Sequence, residues 1–166
     1  MRDLAAAADV DVANFNSPGQ IVISGEKSKI ALAVGMAKEF GARKAVELTV
    51  AGAFHSRLME PAYQRLSAVL AETEIRTPAV TVISNIDALP AGSPDAIRKA
   101  LADQVTGSVR WTGSIEYLID HVGITRFLEL GPGGVIAGLV GRIRKGTEVI
   151  SISDTASLEA ALPLLS

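Results

Sequence analysis

The chain has 166 residues, 48% hydrophobic and 20% charged, which is core-forming material for one domain or two small subdomains and excludes a disordered tail. A net charge of -2 and an aromatic content of 4% argue against a nucleic-acid partner, on charge and on stacking alike. With no cysteine, two histidines and no apolar run of about 18 residues, there is no disulfide framework, thiolate nucleophile, expected metal cluster or membrane span, and the expectation is a soluble cytoplasmic protein.

Residues 1–8 are Ala-rich and read as the end of a helix. Residues 10–14 and 20–24 carry short strand signals around the turn cluster Asn16-Ser17-Pro18-Gly19, which predicts a hairpin with a longer loop. Ile30, Val34, Ala37 and Phe40 mark an amphipathic helix that Gly41 closes. Over 44–50, Val46, Leu48 and Val50 alternate with Glu47 and Thr49, which predicts a half-buried strand. Ala51, Gly52 and Ala53 break it, and helical spacing begins at Leu58 and runs through Met59, Ala62, Leu66, Val69 and Leu70 to Glu72. His55 thus falls on a tight corner between a strand and a helix, where an α/β protein projects side chains into a cleft.

The apolar run over 79–84 predicts a strand covered on both faces, and 89–92 a loop. Ser93 as N-cap with Pro94 at the first helical position opens a helix through Asp103. Trp111, Ile115, Leu118, Ile119 and Val122 space out another. A strand over 126–130, a Gly131-Pro132-Gly133-Gly134 corner, a helix through Ile143, a strand over 148–152 and a helix over 155–162 complete the chain. Strands alternating with helices predict an α/β fold with a parallel sheet.

By itself His55 is only a candidate acid or base. Its surroundings are more specific. Gly52-Ala53-Phe54-His55-Ser56 with Leu58-Met59 and Pro61-Ala62 resembles the catalytic-histidine segment of the malonyl-CoA:acyl carrier protein transacylases. Further stretches resemble the same family in the same order: Asn14-Phe15-Asn16-Ser17-Pro18-Gly19-Gln20 with Val22-Ile23-Ser24-Gly25, Ser84-Asn85-Ile86-Asp87, Val109-Arg110-Trp111-Thr112, and Glu129-Leu130-Gly131-Pro132-Gly133. The family's nucleophilic serine lies in a Gly-His-Ser-Leu-Gly motif upstream of this segment. This chain has no G-x-S-x-G; Gly92-Ser93-Pro94 and Gly107-Ser108-Val109 lack the second glycine. The chain therefore resembles the C-terminal half of the enzyme, and an independent α/β-hydrolase is ruled against by the missing nucleophile elbow.

The resemblance implies an incomplete ferredoxin-like subdomain over 1–50, followed over 51–166 by the C-terminal part of an α/β-hydrolase-like acyltransferase core. It implies malonyl transfer from malonyl-CoA to the phosphopantetheine thiol of acyl carrier protein, in fatty-acid or polyketide biosynthesis, with no bound cofactor. His55 would be the general base and acid. The backbone carbonyl of Gln104 would orient it; on residue type alone Gln104 is a polar residue at a helix C-terminus. Phe54 is a core aromatic on physics alone, but by resemblance an Ala-Phe-His sequence accompanies malonyl selection, since a bulky ring crowds an α-methyl group. Asn14, Asn16 and Gln20 read as turn formers and, by resemblance, lie beside the cleft, with Asn16 a candidate pantetheine contact. The corner at Gly133 lacks the lysine of a Walker A loop and reads as a tight turn that helps shape the site floor. Arg57 does not match the family's malonyl-binding arginine, and Ser56 cannot readily turn back onto the ring of His55. His121 reads as a cation at a helix C-terminus. Lys27, Lys29, Arg43, Lys44, Arg142, Arg144 and Lys145 read as solvated faces that an acidic carrier protein would seek. The expected partners are acyl carrier protein, a coenzyme A thioester and an N-terminal half that carries the nucleophile. The competing reading is a non-catalytic binding module that pairs with such a half.

Overall fold

The computed structural model describes residues 1–164. They form two compact units, Met1–Ser114 and a second that begins at Ile115.

The first unit opens with helix α1 (Arg2–Ala8), strands β1 (Asp11–Ser17) and β2 (Gln20–Ser24), and helix α2 (Lys27–Met36). β1 and β2 pair antiparallel with Ser17 opposite Gln20, so the hairpin loop is only Pro18 and Gly19. This is tighter than the longer loop predicted. Proline presets the first loop residue and Gly19, at φ 78°, supplies the left-handed second one, the chemistry of a type II turn. Asn16 and Ser17 are turn formers by composition, yet they stay in the strand. Irregularities in the register leave Ala13 and Asn16 without cross-strand partners. On the other edge of β1, the Phe15 amide donates to the Val109 carbonyl and the Val109 amide to Ala13, each at 2.8 Å. Leu4, Ala5 and Ala8 of α1 are buried with Val10, Ala33 and Ala37, and Val12, Ile23, Ile30 and Phe40 pack against this cluster.

The segment over 44–50 is not a strand. Val46, Leu48 and Val50 are 60%, 56% and 63% exposed, and no described strand pairs with it. Alternation decides which side chains share a face, but a strand also needs a neighbour to satisfy its ladder. The same holds for 79–84. Only β3 (Ile83–Ser84) is formed there, antiparallel to β4 (Leu89–Pro90) in the stretch predicted as loop, while Val80 and Val82 stand exposed. A single 3₁₀ turn (Arg57–Met59) leads into α3 (Glu60–Glu72), and α4 (Pro94–Asp103) starts at the predicted Ser93 cap. The Arg98 guanidinium, midway along α4, donates to the carbonyls of Leu70 at 2.7 Å and Thr73 at 3.1 Å and so caps the end of α3, and the two helices run antiparallel.

Helix α5 (Trp111–Asp120) crosses the boundary between the units. The second unit continues with β5 (Arg126–Leu130), α6 (Val135–Ile143), β6 (Glu148–Ile152) and α7 (Thr155–Ala161). β5 and β6 are parallel, from Arg126 opposite Glu148 to Leu130 opposite Ile152, as the strand–helix–strand alternation predicts. Leu139 and Val140 of α6 are buried, and Asp154 and Ser157 cap α7 reciprocally. Leu128 and Leu130 face outward and are exposed, whereas Glu129 between them is buried. No described helix is long and apolar enough to cross a membrane.

Candidate active site

His55 sits at φ 58°, in the left-handed region that non-glycine residues seldom occupy. Such a conformation costs on the order of 1–3 kcal/mol and persists only where its surroundings hold it. They do so on the chain's next residue. Ser56 is fully buried; its hydroxyl donates to the Ala53 carbonyl at 2.6 Å and accepts from the Leu58 amide at 3.3 Å. Ser56 is thus the cap of the turn that starts α3, and its oxygen is committed away from the imidazole.

The half-buried ring of His55 meets the C-terminus of α4. Its Nδ1 lies 2.9 Å from the backbone oxygen of Gln104, the residue that closes that helix. A carbonyl can only accept, so Nδ1 carries a proton and donates it, and in the neutral ring the lone pair is on Nε2. The side-chain amide of Gln104 braces the arrangement by donating to the Gly107 carbonyl at 2.8 Å. Its nitrogen is 3.5 Å from Nδ1, too far to compete with the backbone acceptor. Gly107 is required here. A Cβ would fall 2.1 Å from Ile86 Cδ1 and 2.9 Å from the Asp103 carbonyl, so any side chain would push apart the loop on which Gln104 braces. Because α3 begins beside His55 and α4 ends at Gln104, the antiparallel pairing of the two helices brings imidazole and acceptor together across 49 residues.

The other predicted positions fall as follows. Phe54 is 50% exposed and lies alongside Gly52, so it is not the core aromatic that residue type alone suggested. Asn16 is half-buried at the bulge of β1, in the same unit as His55. Gly133 lies exposed in the second unit with φ 115°, between Gly131 at 137° and Gly134 at 67°; three such angles explain the glycines of this corner. His121 stacks on Tyr117, ring centroids 4.8 Å apart. Arg57 is occupied: its guanidinium binds the Asp9 carbonyl at 2.6 Å and the Asp9 carboxylate, with Asp11 3.6 Å away. Lys29 and then Arg57 hold the Asp9 carboxyl below its ordinary range. Neither Asp9 nor Asp11 stood out in the sequence, where Asp11 falls inside the first strand signal.

Glu129 is the other residue that sequence reasoning passed over except as part of a motif. Its carboxylate accepts from the Ser151 hydroxyl at 2.7 Å and from the amides of Ile136 at 2.8 Å and Ala137 at 3.3 Å, in the first turn of α6. An inward-facing carboxylate ahead of a glycine corner and a helix was the available signal. The Ser151 hydrogen bond, followed by those two amides, outweighs burial and lowers its pKa. Its stabilising effect is therefore full above the unfolded value of about 4.3 and is lost as pH falls through the lower folded value. We expect Glu129→Gln to speed amide exchange at Ile136 and Ala137 severalfold at neutral pH, with the difference from wild type shrinking on acidification. A difference independent of pH would show that the charge is not what holds the corner.

No family model matches the chain. It is 42% identical over 156 residues to the malonyl CoA-acyl carrier protein transacylase of Bacillus subtilis, an alignment that spans 94% of this chain and 49% of the relative. Among solved structures it resembles a malonyl-transacylase in complex with the acyl-carrier protein of a type II PKS, with TM-score 0.91 and 40% identity over 98% of this chain and 52% of that one. It also resembles the acyl-carrier-protein-S-malonyltransferase from Bartonella henselae, with TM-score 0.92 and 36% identity over 99% and 53%. The chain thus spans about half the length of the relatives it matches.

Proposed function

The chain is homologous to about half of a malonyl CoA-acyl carrier protein transacylase, and we propose that it supplies the histidine side of a malonyl-transfer site. The observation that carries this reading is the 2.9 Å contact between His55 Nδ1 and the Gln104 carbonyl, which leaves Nε2 as the available base. The nucleophile in this reading is a serine of a complementary N-terminal half, because no G-x-S-x-G occurs in the chain. Residues 1–50 act as the incomplete ferredoxin-like subdomain and the remainder as the C-terminal part of the acyltransferase core.

The chemistry follows from the ring. Nε2 takes the serine hydroxyl proton as the serine oxygen attacks the malonyl thioester carbonyl, since a hydroxyl is a poor nucleophile without an adjacent base. The tetrahedral adduct collapses, the carbon–sulfur bond breaks, and the imidazolium returns its proton to the leaving coenzyme A thiolate. In the second half-reaction the pantetheine thiol of acyl carrier protein gives its proton to Nε2 as its sulfur attacks the malonyl-serine ester; the bond from acyl carbon to serine oxygen then breaks, and the imidazolium returns the proton to the serine oxygen. The Gln104 carbonyl keeps the ring in the tautomer that both steps need. In this reading Phe54, the residue before the base and half exposed, contacts the acyl group.

The same chain without its partner should behave as a binding module. The exposed apolar side chains of Val46, Leu48 and Val50 argue that it works in association with a further segment. We expect the chain alone to leave radiolabelled malonyl-CoA intact, and transfer to appear when the N-terminal half of a relative is added. Stable acylation of the isolated chain at any serine would overturn the assignment of the nucleophile to the other half.

A further inference from the structure

The strained corner at His55 is held from one side by Ser56 and from the other by a set of contacts to residues 9 and 11. The Arg57 amide, two residues beyond His55, donates to the Asp11 carboxylate at 2.9 Å. Its guanidinium reaches both the backbone oxygen and the carboxylate of Asp9. Asp9 can present both because it closes α1 in a left-handed conformation, at φ 51° and ψ 51°, which Asp tolerates better than most residues. Lys29 Nζ, 2.7 Å from the other Asp9 oxygen, steadies that carboxylate. Backbone and side chain of Arg57 therefore both tie the His55 corner to the α1–β1 junction, 46 to 48 residues earlier in the chain.

We infer that Arg57 and Asp11 are positioning residues for His55: by anchoring the peptide that follows the left-handed histidine, they keep its Nδ1 on the Gln104 carbonyl and its Nε2 free. The role rests on His55 being the base, but the geometry does not. Without the anchor, Ser56 alone opposes relaxation of His55 toward the ordinary helical or extended regions. Any such relaxation rotates Cβ and swings the ring off Gln104. A charge-assisted bond from a backbone amide to a carboxylate is among the stronger ways to hold a peptide plane. Nη2 of Arg57 makes both bonds to Asp9 while its Nε lies 3.6 Å from the Asp11 carboxylate, so the planar guanidinium spans two acidic residues as the single ammonium of a lysine cannot.

The test uses the full chain labelled with ¹⁵N. Long-range imidazole spectra read the protonation site of each ring, and amide exchange reads the hydrogen bond at position 57. The two histidines are separated by a His121→Gln background. Asp11→Ala should speed exchange of the position-57 amide by about tenfold, the scale of one lost charge-assisted hydrogen bond at a partly exposed site. It should also replace the single Nδ1–H state of His55 with a tautomer mixture. Arg57→Ala should do the same to the ring, whereas Lys29→Met, which removes a cation from Asp9 but leaves the corner, should not. Asp11→Asn keeps an acceptor oxygen and should largely restore the ring state. Should either alanine variant fail to fold, Arg57→Lys decides: it keeps the charge, loses the planar group that spans Asp9 and Asp11, and should shift the His55 ring in the same direction by a smaller amount. Ring spectra unchanged in Asp11→Ala and Arg57→Ala, or in Arg57→Lys, would overturn the inference even if the melting temperature fell. A disordered ring with undiminished malonyl transfer after addition of the complementary half would leave the positioning intact and overturn instead the reading of His55 as the base.

Discussion

His55→Ala is expected to lower malonyl transfer by about 10²–10⁴ once the complementary half is present, the usual contribution of a positioned general base. The loss should fall on kcat rather than KM, because the ring acts on the reacting proton and not on the bulk of the substrate. Folding should change little. The ring is only half-buried, and replacement removes one hydrogen bond to a helix terminus that water can replace. The measurement is steady-state transfer to acyl carrier protein, alongside thermal melts of both proteins. A His55→Ala variant that transfers at the wild-type rate would place the active site elsewhere.

Phe54→Ser should act on choice of acyl group rather than on rate. On the proposed reading its ring crowds an α-methyl substituent, and accommodation of one methyl in an apolar pocket is worth about 1–3 kcal/mol, or roughly 10–200-fold in relative kcat/KM. The structure sharpens this expectation, because a side chain that is 50% exposed contributes little to the core. The variant should therefore keep its melting temperature and most of its malonyl transfer while methylmalonyl transfer rises. Measurement of kcat/KM for both thioesters decides the matter. Equal losses on the two, or a large drop in stability, would mean that Phe54 serves packing alone.

What could be read from residues alone was what local interactions decide. Ser93 and Pro94 announce the start of α4 because cap and first-turn chemistry act within a few residues. The β5–α6–β6 unit was legible end to end because strand, glycine corner, helix and strand follow one another and pair among themselves. His55 was legible as a corner residue between an apolar alternation and a helix. The stretches at 44–50 and 79–84 were misread for the complementary reason. Their patterns describe strands, but a strand exists only against a neighbour, and most of each stretch has none among the described residues.

The tertiary structure decided the rest. Nothing in the sequence says that a backbone carbonyl at Gln104 should meet an imidazole 49 residues earlier; the antiparallel packing of α3 and α4, with Arg98 tying one end, brings it there. Nor could a pattern show that Glu129 turns inward between two exposed leucines to hold the start of α6, or that Asp9 and Asp11 are occupied by Arg57. Periodicity and capping are encoded in residues a few positions apart, so one chain read in order displays them. Hydrogen bonds to backbone oxygens and ion pairs across dozens of residues depend on where folded elements meet, and backbone acceptors carry no side-chain identity from which that meeting could be read.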